Sequence, residues 1–303
     1  MTQTLSSGMR GWLQAPVPAS AAQARAQQFV LSCRRFAANR SALAGAIFLL
    51  ILVIVALLAP VISPYNPFQQ SLANRLQPPS AAHWFGTDEL GRDILSRIIH
   101  GTRITLYIAV LTAAIVAPVG LLVGTLAGYF GGWIDLILMR IVDVFLAFPS
   151  LILALAFVTA LGPGIENAVI ALSLSAWPPI ARLARAETLT IRKSDYVAAM
   201  RMQGASHTRI ILSDVIPMCL PSVVVRVTLN MAIVILTAAG LGFLGLGAQP
   251  PSPEWGAMLS SGREFMMNAW WVAAVPGIAI LLTSLAVNLA GDGLRDVLDP
   301  RHD

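Results

Sequence analysis

Ser194-Asp195-Tyr196-Val197-Ala198-Ala199-Met200-Arg201-Met202-Gln203-Gly204-Ala205-Ser206-His207-Thr208-Arg209-Ile210-Ile211, running on to Pro217, is a polar island in an apolar chain. Ser194 or Asp195 can cap a helix N-terminus, and Gly204 suits the left-handed residue that closes its C-terminus. Ser206 can then cap a second helix running toward Pro217. The stretch therefore predicts a short helix–glycine–helix hairpin, with Tyr196, Ala199, Met200 and Gln203 on one face. The alternative is a solvated basic loop that only anchors topology. Apolar Tyr196, Val197, Met200, Ile210 and Ile211 argue against it. A hairpin of this kind between long apolar stretches is a place for another protein to dock.

The sequence on either side is built for lipid. Of 303 residues 56% are apolar and 12% charged, where a soluble domain carries about 25% charged residues. Runs long enough to cross about 30 Å of hydrocarbon as helix fall at 41–62, 103–127, 133–161, 165–183, 218–247 and 270–291. Backbone groups in lipid need internal partners, and no segment alternates like a barrel strand. The expected fold class is thus an all-α polytopic membrane protein with six transmembrane helices and a cytoplasmic helix hairpin. The fourth run is the shortest and carries Pro178-Pro179, which bend or end a helix. The run at 41–62 is longer than a secretory signal core and is followed by prolines rather than a cleavage signal, so it reads as a retained first span.

The net charge is +5, from twenty Arg and Lys against fifteen acids. In a membrane chain this excess belongs to cytoplasmic loops and sets topology. The N-terminus, the turn near Arg140, residues 182–217 and the tail after 291 hold fourteen of the twenty cations. Both termini are therefore expected inside. No aromatic residues interleave with the basic ones as a nucleic-acid stacking platform requires, so nucleic acid is not an expected partner. Cys33 and Cys219 have no metal-ligand spacing and read as free thiols.

Two enzyme signatures fail. Gly240-Leu241-Gly242-Phe243-Leu244-Gly245 has dinucleotide-fingerprint spacing, but that loop works between a strand and a helix N-terminus, and here it ends an apolar span. The single lysine, Lys193, follows no glycine run, so there is no phosphate-binding loop for ATP. The histidines at 83, 100, 207 and 302 have no helical pairing or carboxylate cluster beside them. No nucleophile–base set and no metal site emerges, and the chain is not expected to be an enzyme.

Charge inside the membrane is a pointer to function. Asp143 lies three residues from Arg140, so the two can pair on one helical face as a structural ion pair. Arg226 can snorkel to the interface or, alternatively, face a substrate carboxylate. Gly120, Gly124 and Gly128 repeat every four residues, a ridge that lets helix backbones approach closely. Packing is the reading that spacing supports, with a flexible gate as the alternative.

Several further motifs stand in order. Gly86-Thr87-Asp88-Glu89-Leu90-Gly91-Arg92-Asp93 is followed by Ser96, Arg97, Gly101 and Arg103, and then by Ala127-Gly128-Tyr129-Phe130-Gly131-Gly132 with Met139, Arg140 and Asp143. Later come Leu241-Gly242-Phe243-Leu244-Gly245, Gln249-Pro250-Pro251, Pro253-Glu254-Trp255-Gly256 and Gly291-Asp292-Gly293-Leu294-Arg295-Asp296 to Asp299-Pro300. From residue 40 onward these motifs resemble the permease subunits of bacterial ABC importers for dipeptides or oligopeptides, of the type with an extra N-terminal span. That resemblance divides the chain into a cytoplasmic segment 1–40, a first helix and outer loop 41–98, and a permease core 99–303.

The resemblance implies a type I importer permease in the bacterial inner membrane, working by alternating access. It implies an ATPase-coupling loop at 187–217 carrying Tyr196, Ala198, Ala199, Met200, Gly204, Ala205, Arg209 and Pro217. Ala199, Gly204 and Pro217 match the family's Glu-Ala-Ala…Gly…Pro pattern. Ala198 replaces the glutamate, Met200 the second alanine and Ile216 the usual leucine, so docking is expected without that carboxylate. Gly86, Thr87, Asp88, Gly91, Arg92 and Asp93 match the first outer-loop signature. Segments 83–97 and 248–256 are expected to face an extracytoplasmic binding protein. The implied partners are a second, different permease and two ATPase subunits that hold ATP and magnesium; this chain itself holds no cofactor. The same machinery importing a nickel complex, glutathione or cell-wall peptide is an alternative. A secondary transporter or a non-transporting scaffold would leave either the hairpin or the outer motifs without a role.

Overall fold

A computed structural model describes residues 20–298; the expectations for residues 1–19 and for Asp299-Pro300 lie outside the described residues. Among the described residues helices and turns make the whole architecture, with no strand beyond one isolated bridge between Thr87 and Asp93. Helices α1 (Ala21–Ala38) and α2 (Arg40–Ile62) meet at Asn39. The Asn39 side chain accepts from the Ala42 N–H and donates to Asp296 Oδ2 at 3.0 Å, tying the first long helix to the last. Farther along α2, a Cβ on Gly45 would lie 2.7 Å from the Ala286 carbonyl oxygen. The first span therefore rests directly on the backbone of the last.

Helix α3 (Ile94–Phe130) runs about 55 Å at 1.5 Å per residue. Asp93 caps its start, and Gly131 and Gly132 end it with φ of 69° and 52°. It is followed by α4 (Gly132–Leu146), α5 (Ser150–Leu161), α6 (Ile165–Ala176) and α7 (Pro178–Arg192). Helix α8 (Asp195–Met202) begins the hairpin. Helix α9 (His207–Ile210) passes through a π turn at Ile211–Val215 into α10 (Ile216–Phe243). Short α11 (Trp255–Gly262) precedes α12 (Trp271–Leu298).

The six expected spans are not six single helices. Among the described residues four rods are long and apolar enough to cross a membrane: Arg40–Ile62, Ile94–Phe130, His207–Phe243 and Trp271–Leu298. The expected span 133–161 is α4 and α5, which pass the same test only as a pair and are bent by 91°. Pro149 sits in the break and disfavours helical backbone before it. The expected span 165–183 is likewise split, at Trp177, where Pro178 opens α7 at the first helical turn. The hairpin's second helix does not stop at Pro217 either; residues 207–243 form one rod. Pro217 has no N–H to offer, and the rod accommodates it by widening one turn, so that the Ile216 N–H bonds to the Ile211 carbonyl.

The glycine ridge is a packing surface. A Cβ on Gly120 would stand 2.7 Å from Ile180 Cβ, and one on Gly128 2.8 Å from Thr188 Cβ; Gly124 faces Ala181, Ala184 and Arg185 between them. α3 and α7 thus meet backbone to backbone along three turns. Around this contact, Val116, Leu121, Tyr129, Ile180, Ala184 and Ile191 form the core at the hairpin end. A second core joins α5, α6 and α10, and a third gathers at the opposite end around Trp255 and Trp271.

Candidate coupling hairpin and outer knot

The hairpin is built as its residues predict. Ser194 Oγ accepts from the Val197 N–H, and Ser206 Oγ accepts from the Arg209 N–H at 3.3 Å. Gly204, at φ 81°, lets the Ala205 N–H return to the Met200 carbonyl and its own N–H to Arg201. These are the bonds of a glycine-closed helix end.

What faces inward differs in part from the expected face. Val197, Ile210, Ile211 and Val215 are buried in the hairpin-end core, and Met200 and Ala205 pack half-buried against it. Tyr196, Ala198, Ala199, Gln203, Gly204, Arg209 and Pro217 are exposed. Met202, which the sequence reading passed over, is 90% exposed. A Cβ placed on Gly204 would meet nothing within 4 Å. The hairpin therefore presents a small-residue knuckle, flanked by Tyr196 and Met202, on an anchored base.

Polar contacts lock that base. The Tyr196 hydroxyl donates to Asp214 Oδ1 at 2.6 Å, bridging the two arms. That bond raises the tyrosine's pKa, since ionisation would set two anions together. Tyr129, buried at the end of α3, hydrogen-bonds His207 Nδ1 at 2.9 Å, and the Arg201 guanidinium lies 5.2 Å over its ring. Tyr129 was quoted in a motif without a role. Its partners are more than seventy residues away in sequence, so no local pattern announces the contact.

At the opposite end, the side chains of the Gly86–Asp93 signature turn inward. Asp88 Oδ1 accepts from the N–H groups of Leu90 and Arg92, and its Oδ2 takes Arg92 Nε at 2.6 Å and pairs with Arg97 at 3.5 Å. Asp93 Oδ2 caps α3 through the Ser96 N–H, and its Oδ1 bonds His83 Nδ1 at 2.9 Å. Thr87 bridges Gln77 and Asn74, and its carbonyl accepts from Trp271 Nε1. Gly86 and Gly91 take φ of 74° and 71°, where a Cβ would strike Trp271 and the Ser71 carbonyl. The expectation that segment 83–97 faces a partner is narrowed accordingly. Thr87, Asp88, Arg92 and Asp93 are interior, and Trp84, 70% exposed, is the residue on the surface.

The intramembrane charges also settle differently from expectation. Asp143 does not pair with Arg140; it accepts from Arg182 Nη2 of α7 at 2.6 Å. A contact between helices replaces the local one because α4 packs along α7, where Arg185 also forks onto Asp135. Arg226 is exposed on α10, without an ion pair among the described residues. Gly242, from the fingerprint-like run, packs against the Glu254 carboxylate and Ala257 N–H. Glu254 caps α11, accepting from Gly256 and Ala257 at 2.7 Å each, and burial pushes its pKa up.

Residues 120–303 match the binding-protein-dependent transport system inner membrane components, and residues 27–79 match the N-terminal transmembrane domain of oligopeptide transport permease C. The chain belongs to this family. It is a multi-pass membrane permease, not an enzyme. It is 48% identical over 272 residues to a di/tripeptide transport system permease of Pseudomonas aeruginosa, covering 88% of this chain and 90% of that one. Identity to a glutathione transport system permease of Pectobacterium atrosepticum is 45% over 269 residues, covering 88% and 89%. Among solved structures, the permease resembles a chain of the MetNI methionine ABC transporter in inward-facing conformations. The TM-score is 0.55 at 23% identity, over 67% of this chain and 97% of that chain, which establishes the type I importer permease fold.

Proposed function

We propose that this permease is one transmembrane subunit of an ATP-driven importer of dipeptides or oligopeptides, with hairpin 195–216 as the point where ATPase subunits dock. Supporting the peptide class are the names of the relatives, glutathione among them. In this reading both termini and the hairpin lie in the cytoplasm, in keeping with the arginine distribution. The outer knot and the Gln249–Pro251 tip lie toward an extracytoplasmic binding protein. A second permease completes the pathway, and two ATPases carry ATP and magnesium.

One observation carries the docking reading: the hairpin buries Val197, Ile210 and Val215 completely yet leaves the outer side of Gly204 open. A push on the knuckle is passed to α7 and the α9–α10 rod, because those side chains sit in one core with Ile180 and Ala184. ATP drives the cycle only if docking contacts differ between the two permease states.

Gly204→Arg tests the reading. No atom of this chain occupies the space outside Gly204, so a long side chain there blocks only a partner. Gly204→Asn, which tolerates the left-handed conformation, is the control for backbone strain. Gly204→Arg is expected to insert normally, lose co-purification with the ATPases and lose ATP-driven uptake, while Gly204→Asn keeps all three. Uptake and ATPase association retained in Gly204→Arg would refute docking at the knuckle.

A further inference from the structure

The two broken helices place an ion pair deep in the membrane. Trp133, 78% exposed at the start of α4, suits the membrane interface. Asp143 comes eleven residues after Gly132, about 16 Å along α4, and Arg182 ten residues before Arg192, about 15 Å along α7. The half-thickness of the hydrocarbon is about 15 Å, so both heads lie near the midplane. Each stands within five residues of a helix break, at Ala147–Pro149 and at Trp177. Proline-interrupted half-helices meeting at the midplane are where membrane transporters hold their cargo.

The pair is not buried within this chain. The Arg182 and Asp143 side chains are 57% and 49% exposed, against 32% and 19% for Arg185 and Asp135 nearer the hairpin. Two half-exposed charges facing lipid at this depth are costly, whereas charges lining a watery cavity are not. Arg140, also exposed on α4, adds to the polar face.

We propose that Asp143 and Arg182 line the translocation pathway and receive the charged ends of the passing peptide. Asp143 accepts the N-terminal ammonium, and the Arg182 fork takes the C-terminal carboxylate in two parallel hydrogen bonds. A zwitterion then exchanges one protein ion pair for two with the cargo. When the peptide leaves, Asp143 and Arg182 close on each other again. The inference rests on the peptide reading above for the identity of the cargo, and on geometry alone for the pathway.

The test uses the complete importer in liposomes, with Cys33→Ser and Cys219→Ala as background. Asp143→Cys and Arg182→Cys are probed with membrane-impermeant sulfonatoethyl methanethiosulfonate, and Leu50→Cys, ten residues into α2 and exposed, is the lipid-facing control. Labelling at 143 and 182 is expected to exceed the control by roughly tenfold or more, as thiolate forms only in water, and to slow during import of radiolabelled alanylalanine. Rates no faster than Leu50→Cys in every nucleotide state would mean that lipid or protein covers the pair, and would overturn the proposal. The paired variant Asp143→Asn with Arg182→Gln keeps neutral hydrogen-bonding groups, so a merely structural contact tolerates it. Import per ATP hydrolysed is expected to fall roughly tenfold, the loss of one charge-assisted bond, with complex assembly and binding-protein-stimulated ATPase retained. Unchanged import overturns the role of the pair while leaving the peptide importer intact. Fast labelling in a wild-type complex that does not carry alanylalanine would instead overturn the peptide reading and the terminus contacts together, with the pathway retained.

Discussion

Gly124→Ala tests whether the α3–α7 contact holds the coupling hairpin to the membrane core. The added Cβ would stand 2.7 Å from Ala184 Cβ and 2.9 Å from the Arg185 backbone nitrogen, with the Ala181 carbonyl oxygen nearer still. None of these atoms can rotate aside. Restoring ordinary contact needs the helices to part by roughly 0.7 Å, enough to forfeit a quarter or more of the dispersion energy between atoms across the ridge. Overpacking of this kind costs about 3 kcal/mol at the upper end. Alanine's better helix propensity returns about 1 kcal/mol at most. The net expectation is destabilisation by about 2 kcal/mol, the sterics outweighing the propensity. Gly240→Ala makes the same chemical change where the nearest atom, Leu151 Cδ1, is 3.5 Å away, so it should be neutral or slightly stabilising. The assay is unfolding of each purified variant in mixed micelles, with ATP-driven uptake measured in parallel. A Gly124→Ala protein as stable as Gly240→Ala would refute the backbone-to-backbone contact.

Two further outcomes follow from the outer end. Asp88→Asn leaves Arg92 and Arg97 buried without their carboxylate, which costs about 3 kcal/mol or more; Trp84→Ala on the exposed side of the same loop should change stability by less than about 0.5 kcal/mol. Equal effects in an unfolding titration would place the knot on the surface after all. Glu254 has a folded pKa raised chiefly by burial, so its contribution to stability is full below its unfolded value, about 4.3, and is lost as pH rises through the folded value. Melting of wild type against Glu254→Gln across that window should show wild type losing ground as pH rises; a constant difference would refute it.

The hairpin was legible because its signals are local. Ser194, Gly204 and Ser206 act within three or four residues, and a cap or a left-handed turn needs no distant partner. The same holds for the apolar runs and for the four-residue spacing of Gly120, Gly124 and Gly128. The helix breaks were half-legible: Pro178-Pro179 marked the fourth span, while the 91° bend at 147–149 lay hidden inside a continuous apolar run. Hydropathy registers only whether residues tolerate lipid, not whether the backbone passes straight through it. For Pro217 the proline rule gave the wrong outcome, since a π turn can absorb a missing N–H without ending the rod.

By itself the sequence determined that the chain is a helical membrane protein with a capped docking hairpin, because composition, periodicity and capping act over a turn or two of helix. Only the tertiary structure decided who pairs with whom. Asp143 chose Arg182 over nearby Arg140, Tyr129 found His207, and the acidic and basic residues of the outer signature turned inward on one another. In a low-dielectric interior a charge takes whichever partner the packing brings within hydrogen-bonding reach, and which helices pack together is a property of the whole fold.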